Sequence, residues 1–146
     1  MSVDINVILK KENKPTPEQW QQAIAMLEFD LQLDTDFDVE EFSGYLPSVY
    51  KGEETGFEYF FEKLEDDWLE EDAMQLVGDR NYLVTFSTHS DMRELIASTI
   101  ASSVLCSITD GLILNEEDGP LFIGAKEAIE YGKKAESELT LDLDEN

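Results

Sequence analysis

Positive charge is scarce in this 146-residue chain. Ten lysines and arginines and one histidine, His89, stand against 34 aspartates and glutamates, a formal net charge of −24. Such an excess repels both phosphate backbones and anionic lipid, so neither nucleic acid nor a membrane surface is an expected partner. Cysteine occurs once, at Cys106, which rules out an internal disulfide framework and fits a reducing, cytoplasmic setting. No apolar run approaches about 18 residues, so no spanning helix is expected. The opening MSVDINVILKK lacks the basic-then-apolar plan of a signal peptide. Also missing are a phosphate-cradling glycine loop, a Cys-x-x-Cys pair, HExxH and GxSxG. The expectation is therefore no cofactor, no metal and no catalytic residue.

What is present suffices for a core, with 42% hydrophobic residues and 10% aromatics. Val3 to Leu9 alternates with a period near two and reads as a strand. In NKPTPEQWQQAIAMLEFDL, Thr16 can cap a helix, Pro17 takes its first position and Gln19 completes a capping box. Trp20, Ile24, Leu27 and Leu31 then form one helical stripe. Gln32 to Glu41 alternates Leu33, Thr35, Phe37 and Val39 against acids, as a half-buried strand would. Phe42 to Gly56 reads as a loop, Phe57 to Phe61 and Tyr82 to Phe86 as strands, and EDDWLEEDAMQLVGDRN as a connection between them.

A second helix starts near Asp91 and is apolar or small nearly all round, so Ile96, Ile100, Val104 and Cys106 should be buried. Short strands at Leu112 to Leu114 and Leu121 to Ile123 precede a helix from Ala125 to about Glu138. The expected fold is α+β in order β-α-β-β-β-α-β-β-α: one domain over 1–146, five to six antiparallel or mixed strands, three helices, and an acidic tail from about 139.

Asp34, Asp36 and Asp38 invite an EF-hand reading, but the sixth position would be Val39 rather than Gly and the twelfth Tyr45 rather than Glu. His89 has no nucleophile or carboxylate partner assigned by sequence. Cys106 sits among apolar neighbours and reads as a small buried hydrophobe.

Acidic runs are the remaining signal. Asp34 to Glu41 holds five acids, Glu65 to Asp72 holds six, and neither contains a base. Solubility alone asks for a net charge of only about 2–8 in a small domain. Aromatic rings within a charged rim describe a protein-binding surface on which carboxylates steer a basic partner. The candidate contacts are Asp34, Asp36, Asp38, Glu40, Tyr45, Tyr50, Glu65, Asp66, Asp67, Trp68, Glu70 and Glu71.

The segments GYLPSVYKGEETGFEYFFE and TDGLILNEEDGPLFIGAKEAIEYGKKAE resemble the middle and end of small acidic uncharacterised bacterial α+β proteins, some of them toxin-immunity proteins. The resemblance implies a non-catalytic protein that plugs the basic cleft of a toxin, for example a nuclease. It implies no catalytic residue. A DNA mimic uses the same physics. Two other classes stay open: a structural or regulatory module whose charge serves only solubility, and a hydrolase using scattered acids.

Overall fold

The computed structural model describes residues 2–67, 69–89, 91–115 and 121–144. In chain order these form β1 (Ser2–Leu9), α1 (Pro17–Met26), β2 (Leu31–Leu33), β3 (Gly44–Tyr50), β4 (Glu53–Lys63), α2 (Glu71–Val77), β5 (Tyr82–His89), α3 (Met92–Thr109), β6 (Leu112–Asn115), β7 (Leu121–Gly124) and α4 (Ala125–Asp144). The strands make one sheet in the order β2-β3-β4-β5-β1-β6-β7, with every neighbouring pair antiparallel. The α+β class is as expected. Among the described residues the sheet has seven strands and the chain four α-helices, more than the five to six and three read from sequence.

The start of α1 follows its sequence signals. Gln19 N–H donates to Thr16 Oγ1, Thr16 N–H donates to Gln19 Oε1, and Pro17 opens the helix. The helix stops sooner than its stripe implies. Leu27 is the C-cap and Glu28 has φ 67°, so Leu31 reaches the core from β2 instead. Gln21 then reaches across to that edge strand. Its Nε2 donates to Leu31 O, and its Oε1 accepts from Leu33 N–H at 2.5 Å. A side-chain amide thus occupies backbone groups that an edge would otherwise leave open.

The expected strand Gln32 to Glu41 survives only as Leu31–Leu33. Aspartate side chains take over the backbone beyond it. Asp34 Oδ1 accepts from Asp36 N–H, and Asp38 Oδ1 accepts from the N–H groups of Glu40 and Glu41. These short local bonds outcompete a ladder. Inward and outward alternation persists all the same, with Val39 buried and Phe37 and Phe42 packed against the core. Phe37 lies 6.5 Å from the Trp20 ring and 5.7 Å from the Tyr59 ring, and Phe42 5.5 Å from Phe37.

The segment expected to be a loop, Phe42 to Gly56, is mostly a hairpin. Tyr50 pairs with Glu53 across a two-residue turn in which Lys51 and Gly52 have φ 49° and 81°. Positive φ at both central positions matches the right-handed twist of the flanking strands. The acidic connection contains α2, and α4 runs on to Asp144, so residues 139–144 are helical rather than a tail. Within that helix Thr140 Oγ1 donates to the backbone carbonyl of Glu136.

The main core lies between one sheet face and α1, α3 and α4. β1 contributes Ile5, Val7 and Leu9; α3 contributes Ile96, Ile100, Val104 and Cys106, each fully buried as expected. Four hydroxyls inside this apolar helix are satisfied locally: Ser98 and Thr99 donate to Leu95 O, Ser102 to Thr99 O and Thr109 to Leu105 O. Burial pushes the Cys106 thiol up to about 12, so it stays protonated and unreactive. On the opposite face α2 brings Met74 and Val77 onto Ile8, Leu64, Leu83 and Leu112. Among the described residues no helix is long and apolar enough to cross a membrane.

Candidate protein-binding surface

β1 and β4 end, and β5 begins, at the same end of the sheet, where Leu9 pairs with Tyr82 and Tyr82 with Lys63. The second acidic run starts there, and Glu40 of the first meets Lys11, just beyond β1, whereas Asp34 lies further along the sheet, its N–H donating to Pro47 O. Glu65, Asp66 and Asp67 follow β4 directly and are exposed, while Glu70 is the N-cap of α2 and Glu71 lies in its first turn. Acids at that position complement the helix dipole, so part of this run has a structural task. Trp68 lies outside the described residues.

Three lysines follow β1, each already matched. Lys10 Nζ meets Asp79 at 2.9 Å, while Lys11 and Lys14 meet Glu40 at 3.2 and 2.8 Å. Hydrogen bonds from Lys14 and Lys11 hold the Glu40 carboxyl below its usual range. Glu40 is therefore committed inside the fold, unlike the exposed Asp34, Asp36 and Asp38. These lysines line a cleft of about 590 Å³ with Glu12, Asp79 and Asn81.

Tyrosines separate by parity along the hairpin. Tyr50, proposed above as a contact, is 1% exposed and donates its hydroxyl to Glu136 at 2.6 Å. Burial and that carboxylate push its phenol up to about 12. Tyr59 is likewise buried, donating to Val39 O and held well above the ordinary phenol range by desolvation. Neither ring can meet a partner. Their strand positions face the helices, which the loop reading of Phe42 to Gly56 could not reveal for Tyr50.

Tyr45 is the tyrosine left outside, half exposed on the other face. Its ring lies against Gly56, where an added Cβ would come within 2.5 Å of Tyr45 Cζ. Burial against the strands raises the phenol above its ordinary value, and the carboxylates of Glu94, Asp91 and Glu54 raise it further. Beside Tyr45 runs a groove of about 640 Å³, walled by residues that include Asp34, Pro47, Val49 and Glu54; among the described residues no lysine or arginine lines it. Glu54, Asp91 and Glu94 were missed as site residues because their proximity to Tyr45 depends on the hairpin that sequence reading left as a loop.

A polar row continues from Tyr45 across the sheet, with Tyr45 opposite Glu58, Glu58 opposite Ser87 and Ser87 opposite Asp4. His89 Nε2 lies 3.2 Å from Glu58 Oε1, and Ser87 Oγ donates to Asp4. The imidazole and the hydroxyl are thus held by different carboxylates, and His89 is exposed. A nucleophile–base–orienter set would need the hydroxyl on the imidazole. Among the described residues no group of three or more His, Cys, Asp or Glu side chains converges as a metal cluster. No protein-family model, curated protein or solved structure matches this chain.

Proposed function

We propose that this chain is a non-catalytic acidic binding protein that neutralises a basic protein, in the manner of an immunity protein occupying the cleft of a toxin such as a nuclease. The observation that carries this reading is the placement of Tyr45. An aromatic ring half open to solvent stands amid Glu54, Asp91 and Glu94, beside a groove with no cation in its walls. Aromatic contact area supplies slow dissociation, and a surrounding field of one sign supplies fast association with the opposite sign. Lys10, Lys11 and Lys14 are consumed by internal ion pairs and do little to offset that field.

The test is to look for a gene flanking this chain's own that encodes a cationic protein toxic on expression, and to co-express the two. Restored growth, with a salt-sensitive complex of the two purified proteins, is the expected result. Continued toxicity and no complex at low ionic strength would overturn the proposal and leave the charge to serve solubility.

A further inference from the structure

Resting on that reading, we propose that the groove beside Tyr45 is the seat of an extended basic segment of the protein partner, with an arginine stacked on the tyrosine ring between Asp34 and Glu54. The sheet face here is unpartnered. α2 covers Ile8, Leu83 and Leu112 on the same face, whereas Gln32, Pro47 and Glu54 at the β2-β3-β4 side are exposed.

Charge complementarity selects the occupant. Both titratable wall residues apart from Tyr45 itself are carboxylates, and Asp91 and Glu94 add to the same field. A guanidinium satisfies the wall and the ring together, because its plane stacks on an aromatic face while its fork engages a carboxylate. A lysine ammonium is a point charge that does the second better than the first. The ring is also held in advance. Gly56 leaves room for it to lie against the strands, so little side-chain freedom is lost when a partner arrives. The lysine-lined cleft offers no such vacancy of charge, since its cations already meet Asp79 and Glu40.

The experiment is an amide chemical-shift titration of the full chain with a hexa-arginine peptide, with affinities from fluorescence anisotropy. Shifts should concentrate on Tyr45, Val49, Glu54 and Gly56. Tyr45→Ala should weaken binding roughly tenfold and Tyr45→Phe by less than about twofold, as expected for a cation on a ring. Glu54→Lys, at an exposed site that tolerates charge reversal, should also weaken it, so the inference stays testable if Tyr45→Ala disturbs folding. Equal affinity for hexalysine would overturn the arginine assignment. Binding with shifts confined to 36–41 and 65–72 would overturn the groove and leave the proposed function standing. No binding at low salt would overturn both.

Discussion

Gly132 of α4 faces Ser103 of α3 so closely that an added Cβ would stand 2.7 Å from Ser103 Oγ and 2.8 Å from its Cβ. Glycine inside a helix ordinarily costs about 1 kcal/mol relative to alanine, and here that cost permits two helices to pack without a gap. Gly132→Ala should therefore destabilise by about 1–3 kcal/mol despite its better helix propensity, the usual cost of overpacking. Ser103→Gly in the same chain should recover part of the loss. Denaturant melts of the two single variants and the double variant measure the coupling. Ser103 Oγ is buried without a hydrogen-bond partner, so Ser103→Ala alone should be neutral or slightly stabilising.

Ile100 is fully buried between α3 and the sheet. Ile100→Asp would place an unpaired carboxylate there and should abolish cooperative folding. Circular dichroism and size-exclusion chromatography read the outcome. A soluble variant with an unchanged melting temperature would refute the packing described for α3.

Alkali should expose the two buried phenols. A group whose folded pKa is raised contributes stability that is complete below its unfolded pKa and is lost as pH rises through the folded one. For Tyr50 that window runs from an ordinary value of 10.0 to about 12, and Tyr59 acts in the same sense. Tyr50→Phe should be less stable than wild type at pH 8, and the difference should shrink from about pH 10 upward. A difference that is constant across pH 8–12 would contradict the buried Tyr50–Glu136 bond.

Asp66, Asp67, Glu70 and Glu71 are exposed at one end of the sheet, and their expected role is steering. Changing all four to Asn or Gln should slow association with labelled hexa-arginine several-fold at low salt and flatten the salt dependence, with dissociation altered less. Stopped-flow mixing at two ionic strengths decides it. Unchanged association in both would end the steering role.

Local chemistry was legible where it was self-contained. Thr16, Pro17 and Gln19 announced the helix they begin, and the run from Ile96 to Cys106 announced its own burial. Alternation at Leu33 to Val39 correctly told inside from outside, yet it could not say that Asp34 and Asp38 would bond their own backbone in place of a neighbouring strand. The hairpin was hidden because Lys51 and Gly52 are a weak turn signal and Pro47 argues against a strand. That single omission left the buried Tyr50 beside Tyr45 among the expected contacts and kept Glu54, Asp91 and Glu94 out of view.

β1 lies between β5 and β6 although it is the first strand of the chain, with Val7 opposite both Val84 and Ile113. During synthesis, Ile5, Val7, Ile8 and Leu9 emerge long before either neighbour exists. No partial sheet containing β1 can close until Tyr82–His89 has left the ribosome, and none is complete until Leu112–Asn115 follows. Pairings so distant in sequence fold slowly, and an unpaired apolar strand is prone to aggregate while it waits. Ile5, Val7, Ile8 and Leu9 must therefore stay unpaired over most of the chain's length before the centre of the sheet can form.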